Sequence, residues 1–160
     1  MTQHRRLALA WVAVTAIGAL GCSERSGHDP FALMEGQGIY KAECASCHGA
    51  ELEGQANWQT RRPDGKLPAP PHDATGHTWH HPREQLAAIV KFGMVPPNAP
   101  PGYVSDMPAF GGKLSDAQID NVLAWIETQW PQETLKRRAE MLKQRQSALG
   151  SATIALRPRQ

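Results

Sequence analysis

The densest chemistry in this sequence lies in the run Cys44-Ala45-Ser46-Cys47-His48. Two thiols at i and i+3 share one face of a helical turn. They can reach the two vinyl groups on one edge of a porphyrin and hold it by thioether bonds. The adjacent imidazole of His48 would then swing beneath the iron. A C-x-x-C-H run therefore reads as covalent attachment of a c-type haem. Other chemistries use the same residues. Zinc needs four N or S ligands, and Cys44, Cys47 and His48 could take the fourth from His72, His77, His80 or His81. A redox dithiol belongs in a strand–helix–strand setting, which this pattern does not suggest. An ordinary disulfide is the plainest alternative. A second cluster, running from Pro71 to His81, reads PHDATGHTWHH. It could bind a second metal such as copper or form a pH-sensitive surface. The blander expectation is a loop over the haem edge, its histidines bonding backbone or propionate.

Helices must position these groups. A helical pattern starts near Leu33, carries Gly36, Ile39, Tyr40 and Glu43, and runs into Cys44. No period persists from Gly49 to His81. Arg61-Arg62-Pro63-Asp64-Gly65 is a turn cluster, and Pro68-Ala69-Pro70-Pro71 cannot be helix interior. A second helix is expected from Pro82 to Phe92, with Pro82 at its first position and Gly93 at its C-terminal cap. Leu86, Ile89 and Val90 form its inner face. After a Pro-rich loop from Val95 to Gly112, Ser115 and Gln118 make a capping box. They open a third helix with Ile119, Val122, Leu123 and Ile126 at helical spacing, closed by Trp130-Pro131. The expected class is all-α, with three main helices joined by long Pro- and Gly-rich loops.

Composition narrows the function. The 160 residues carry a formal charge of +2, and without Arg5 and Arg6 the count is 15 basic against 15 acidic. A neutral chain argues against nucleic acid as a partner. Three cysteines are too few for a disulfide-stapled scaffold. Residues 1–21 contain a short basic region and the 14-residue apolar stretch from Leu7 to Leu20, the pattern of an export signal. The stretch is shorter than the ~20 residues of a membrane span. It ends in Ala19-Leu20-Gly21-Cys22, which resembles a bacterial lipoprotein cleavage site, with Cys22 as the lipidated residue. Simple cleavage and an uncleaved N-terminal anchor are the alternatives. The expected location is the periplasmic side of a bacterial membrane. Residues 22–34 then form a tether. Residues 132–160 form a basic tail of net charge +5, either solvated or a weakly amphipathic helix suited to a membrane surface or a partner.

Residues 35–131 resemble the class I mono-haem cytochrome c family. The resemblance rests on Gly36 and Tyr40 in the first helix, the CASCH run, the loop Met107-Pro108-Ala109-Phe110, and a last helix ending in Ala124-Trp125-Ile126. It implies crossing of the first and last helices around one covalent haem c, with His48 as proximal and Met107 as distal iron ligand. Met94, Met34, Met141 or a histidine are the other distal candidates. The resemblance also implies a proline carbonyl, from Pro70 or Pro71, accepting from His48 Nδ1. Propionate donors are sought among Trp58, Arg61, Arg62, His77, Trp79 and His80, with Arg61 and Trp79 favoured. The expected apolar wall is Tyr40, Leu52, Leu67, Ile89, Phe92, Phe110 and Leu123. Two axial ligands leave no open iron position, so a single-electron carrier of a respiratory or oxidative chain is expected rather than an enzyme, with redox proteins as partners. The domain's net charge of −4 would suit a basic docking face on such a partner. A zinc or copper module, and a cytochrome that loses Met107 and turns over peroxide, are the other readings.

Overall fold

Asp29-Pro30 starts the first helix of the computed structural model, which describes residues 29–155. The Asp29 carboxylate accepts from the Phe31 amide at 3.1 Å, and Pro30 has the fixed φ that suits a first helical position. Helix α1 (Pro30–Ile39) thus begins ahead of the Leu33 start suggested by periodicity, and the last residues of the expected tether are helical. The export segment 1–21 and Cys22 lie outside the described residues. α1 continues through one wide π turn (Tyr40–Cys44) into α2 (Ala45–His48), which stops at Gly49. Such turns recur at functional sites, and this one delivers the CASCH run.

A long irregular segment follows, broken by a 3₁₀ turn at Thr78–His80. Helix α3 spans Arg83–Phe92, with Pro82 as its N-cap and Gly93 as its C-cap. Pro82 thus stands one position before the place that its sequence context suggests. The expected capping box opens α4 (Asp116–Thr128): Gln118 N–H donates to Ser115 Oγ at 3.2 Å, and Ser115 N–H donates to Gln118 Oε1 at 3.0 Å. The basic tail is a fourth long helix, α5 (Gln132–Ala155). Thr134 and Arg138 on it are buried, and Leu135 packs on the core. No strand occurs among the described residues. None of their helices is long and apolar enough to cross a membrane.

The architecture is all-helical, with α4 central. α1 crosses α4 at Gly36, where only a hydrogen fits against the Asn121 backbone. Two apolar clusters flank α4. Tyr40, Leu52, Val122, Ile126 and Trp130 form one, and Leu86, Phe110, Leu114, Ile119 and Leu123 form the other.

Candidate functional site

Between these clusters opens a cavity of about 390 Å³, within the size range of small-molecule sites. The CASCH run supplies Cys44, Cys47 and His48 to its wall. Both cysteines are free thiols, Cys44 partly buried and Cys47 exposed. Burial, then Glu43 and Cys47, pushes the Cys44 thiol up to about 11. Among the described residues no group of three or more His, Cys, Asp or Glu is arranged to hold a metal ion. The zinc and copper readings therefore find no support in the geometry.

His48 is 7% exposed, and its Nδ1 lies 2.8 Å from the Pro70 carbonyl oxygen. Burial lowers its pKa, opposed by the Pro70 bond, so the ring is neutral at pH 7. Nδ1–H donates to Pro70, which leaves the lone pair on Nε2, the state required of a metal ligand. The choice between Pro70 and Pro71 is thereby made. Pro70 lines the cavity, whereas the buried Pro71 lies behind it and its carbonyl accepts from Thr78 Oγ1 at 3.4 Å. Long-range bonds set this register. Gln55 N–H donates to Ala69 O at 2.9 Å, Ala69 N–H donates to Gln55 Oε1 at 3.0 Å, and His72 N–H donates to Leu52 O at 2.8 Å. Gly54 permits the approach: at φ +68, a Cβ there would meet Pro71 N at 2.5 Å.

Met107 and Met94 both reach the cavity. Met34 lies 64% exposed on α1, and Met141 lies on α5; neither lines the cavity. The Met107 amide donates to Ser105 Oγ at 3.1 Å, and Asp106 pairs with Arg62 and Lys66, which pins the methionine loop to the 61–66 turn. Of the apolar wall candidates, Phe110, Leu67, Ile89 and Leu123 line the cavity.

Other expected contacts fall elsewhere. Tyr40 is fully buried in the core behind the site, where its hydroxyl donates to Gly49 O at 2.8 Å and reaches His48 O at 3.3 Å. Burial raises its pKa far above the usual 10, so it stays a donor. Leu52 joins the same core cluster, and Phe92 ends α3 with its ring 56% exposed. Arg61 turns outward, donating to Gly65 O at 2.6 Å and lying 5.5 Å from the Tyr103 ring centre. Trp79 packs on the core and its carbonyl accepts from Arg138 at 2.8 Å, while its indole Nε1–H is buried with no hydrogen-bond partner among the described residues, so a donor is left over as the propionate expectation requires. Arg62, Trp58, His77 and His81 line the cavity instead. The rings of Trp58 and His77 stack at 5.3 Å, and His81 meets His77 edge-on at 5.4 Å. His80 is exposed and does not line the cavity.

His72, which the sequence offered only as a zinc-ligand candidate and a member of the His-rich loop, has a place at the site that sequence reasoning missed. Its ring stacks on that of His48, with centroids 3.9 Å apart and planes at 20°. Burial, then His48 and His77, holds its pKa well below the usual value, so it too is neutral. A histidine directly after Pro70-Pro71 was the available signal.

Two free thiols, a neutral imidazole with Nε2 available and a thioether thus share the walls of one largely apolar cavity. That donor set, around a cavity of this size, fits a haem. The family comparison agrees: residues 31–126 match the family described as cytochrome c oxidase, cbb3-type, subunit III. No curated protein and no solved structure was found to match the chain.

Proposed function

The chain belongs to this family of class I-like c-type cytochromes, its match covering more than half of the 160 residues, and from that membership we propose that it is a one-haem, single-electron carrier. Its sequence holds a single C-x-x-C-H run, so one haem is assigned. Cys44 and Cys47 would bond the haem edge, His48 would ligate through Nε2, and Met107 would be the second axial ligand. When bound, the haem supplies a ferric/ferrous couple, and a His/Met ligand pair places that couple at a raised potential. The protein's own part is to hold its ligands still. Pro70 O orients His48, Ser105 and the Asp106 ion pairs fix the Met107 loop, and Leu67, Ile89, Phe110 and Leu123 exclude water. Low polarity there disfavours the extra charge of the oxidised state. With both axial positions filled, the reading is a carrier rather than an enzyme, and its partners are redox proteins. Lipidation of Cys22 or an N-terminal anchor would hold it on the periplasmic side of a bacterial membrane, in a respiratory or oxidative chain.

The observation that carries this reading is the 2.8 Å contact of His48 Nδ1 with Pro70 O beside two free thiols on one cavity wall. The test is expression of the full chain in a host with haem-maturation machinery, followed by intact mass and a pyridine haemochrome spectrum. One covalent haem is expected. A colourless product at its bare polypeptide mass overturns the reading. Membrane fractionation of Cys22→Ala tests the lipid anchor: release into the soluble fraction is expected, and unchanged association removes the claim.

A further inference from the structure

We propose that His72 is a positioning residue for the proximal ligand, its ring lying on the face of His48 and setting the plane of that imidazole. The inference rests on the haem-carrier reading and goes beyond it. A hydrogen bond to Pro70 O fixes one direction of the His48 ring, with Nδ1 2.8 Å from the oxygen. It leaves the ring free to rock about the Nδ1···O line. A second ring at 3.9 Å, inclined by only 20°, blocks that rocking by direct contact. The two constraints act about different axes, and together they define the plane.

His72 can act as a stop because it is held at three points. Its Nδ1 shares a hydrogen bond with Thr78 Oγ1 at 2.8 Å. Its amide donates to Leu52 O at 2.8 Å, and its carbonyl accepts from Trp130 Nε1 at 2.7 Å. An aliphatic residue would fill the volume but could neither stack flat nor bond Thr78. Trp130 lies beyond the residues of the family match, so the stop is anchored by a part of the chain outside it.

The plane of an axial imidazole selects which iron d orbital it overlaps, and the g-values of a low-spin ferric centre report that choice. The experiment uses the full-length holoprotein, with frozen-solution electron paramagnetic resonance on wild type, His72→Ala and His72→Phe. His72→Ala is expected to shift the g-values or split them into more than one set. His72→Phe keeps a flat ring and is expected to stay nearer to wild type. Loss of stability alone would leave the g-values of the folded fraction in place. A His72→Ala holoprotein with wild-type g-values overturns this inference and leaves the carrier reading standing. A wild type without haem overturns both. Where His72→Ala fails to mature, Thr78→Val removes the Nδ1 partner and, with it, the longer 3.4 Å bond to Pro71 O: shifted g-values support the inference, and wild-type values overturn it.

Discussion

Gly36 lies against Asn121 so closely that a Cβ on the glycine would stand 2.1 Å from the Asn121 carbonyl oxygen and 2.6 Å from its carbonyl carbon. Both are backbone atoms of α4, so no side chain can move aside. Gly36→Ala must therefore push α1 off α4 and loosen the turn that presents the CASCH run. Overpacking of this kind costs about 1–3 kcal/mol, and the upper end is expected here. Gly38, two residues on, has nothing within 4 Å of its would-be Cβ. Gly38→Ala should raise stability by about 0.5–1 kcal/mol through helix propensity. Urea denaturation of the two variants checks the pair; equal effects would remove the close-approach argument.

Arg138 brings the tail helix to the site. It is 5% exposed, and its guanidinium donates to the carbonyls of Trp79 and His81 at 2.8 and 2.5 Å, with Glu127 at 3.6 Å. It therefore closes the 3₁₀ turn whose neighbours, His77 and His81, line the cavity. Arg138→Met keeps most of the stem but strands two carbonyls and leaves the Glu127 carboxylate with Arg83 alone, at 3.5 Å. A loss of about 2–3 kcal/mol is expected, with faster hydrogen exchange at residues 78–81. Arg137, 67% exposed and paired with Glu133 at i,i+4, is the control: Arg137→Met should cost no more than about 0.5 kcal/mol.

Local rules made the chemistry and the helix ends legible before any coordinates. The CASCH spacing, the Ser115–Gln118 box and the Gly93 stop each depend on a few adjacent residues, and each appears in the structure. The misplaced residues depend on distant partners. Arg62 takes the wall position expected of Arg61 because Asp106, 44 residues away, pairs with it. The setting of Trp79 also depends on a distant partner, Arg138, on a helix that sequence reading left open between a solvated tail and an amphipathic element. Pro70 is distinguished from Pro71 only by the bonds from Gln55 and to Leu52 that set the register of the loop. Adjacent arginines or prolines look equivalent in one dimension, and only the closed chain tells them apart.

Tyr40 ties the first helix to the turn behind His48. Its hydroxyl donates to Gly49 O at 2.8 Å and lies 3.3 Å from His48 O. Tyr40→Phe keeps the buried ring, and its packing 4.9 Å from Trp125, but removes the donor. A net loss of about 1 kcal/mol is expected. The effect should be local, with faster exchange of the Gly54 amide, which donates to the same His48 carbonyl at 2.8 Å. An unchanged denaturation midpoint together with unchanged exchange would show that the bond contributes nothing.

Met107 and Met94 both face the cavity, and the chain favours Met107 as the second axial ligand on mechanical grounds. Pro108 after it disfavours helix and keeps Met107 extended, its amide is tied to Ser105 Oγ at 3.1 Å, and Asp106 is gripped by Arg62 and Lys66. A thioether on a loop so held can stay in place in both oxidation states. Met107→Ala is therefore expected to abolish the methionine-to-iron charge-transfer band of the ferric protein, lower the midpoint potential, and let the ferrous form bind carbon monoxide. Met94→Ala should leave all three properties as in wild type. A Met107→Ala protein that keeps the band while Met94→Ala loses it would transfer the ligand role to Met94. Were both variants to keep it, a methionine outside the cavity wall would have to be brought in, which the positions of Met34 and Met141 oppose.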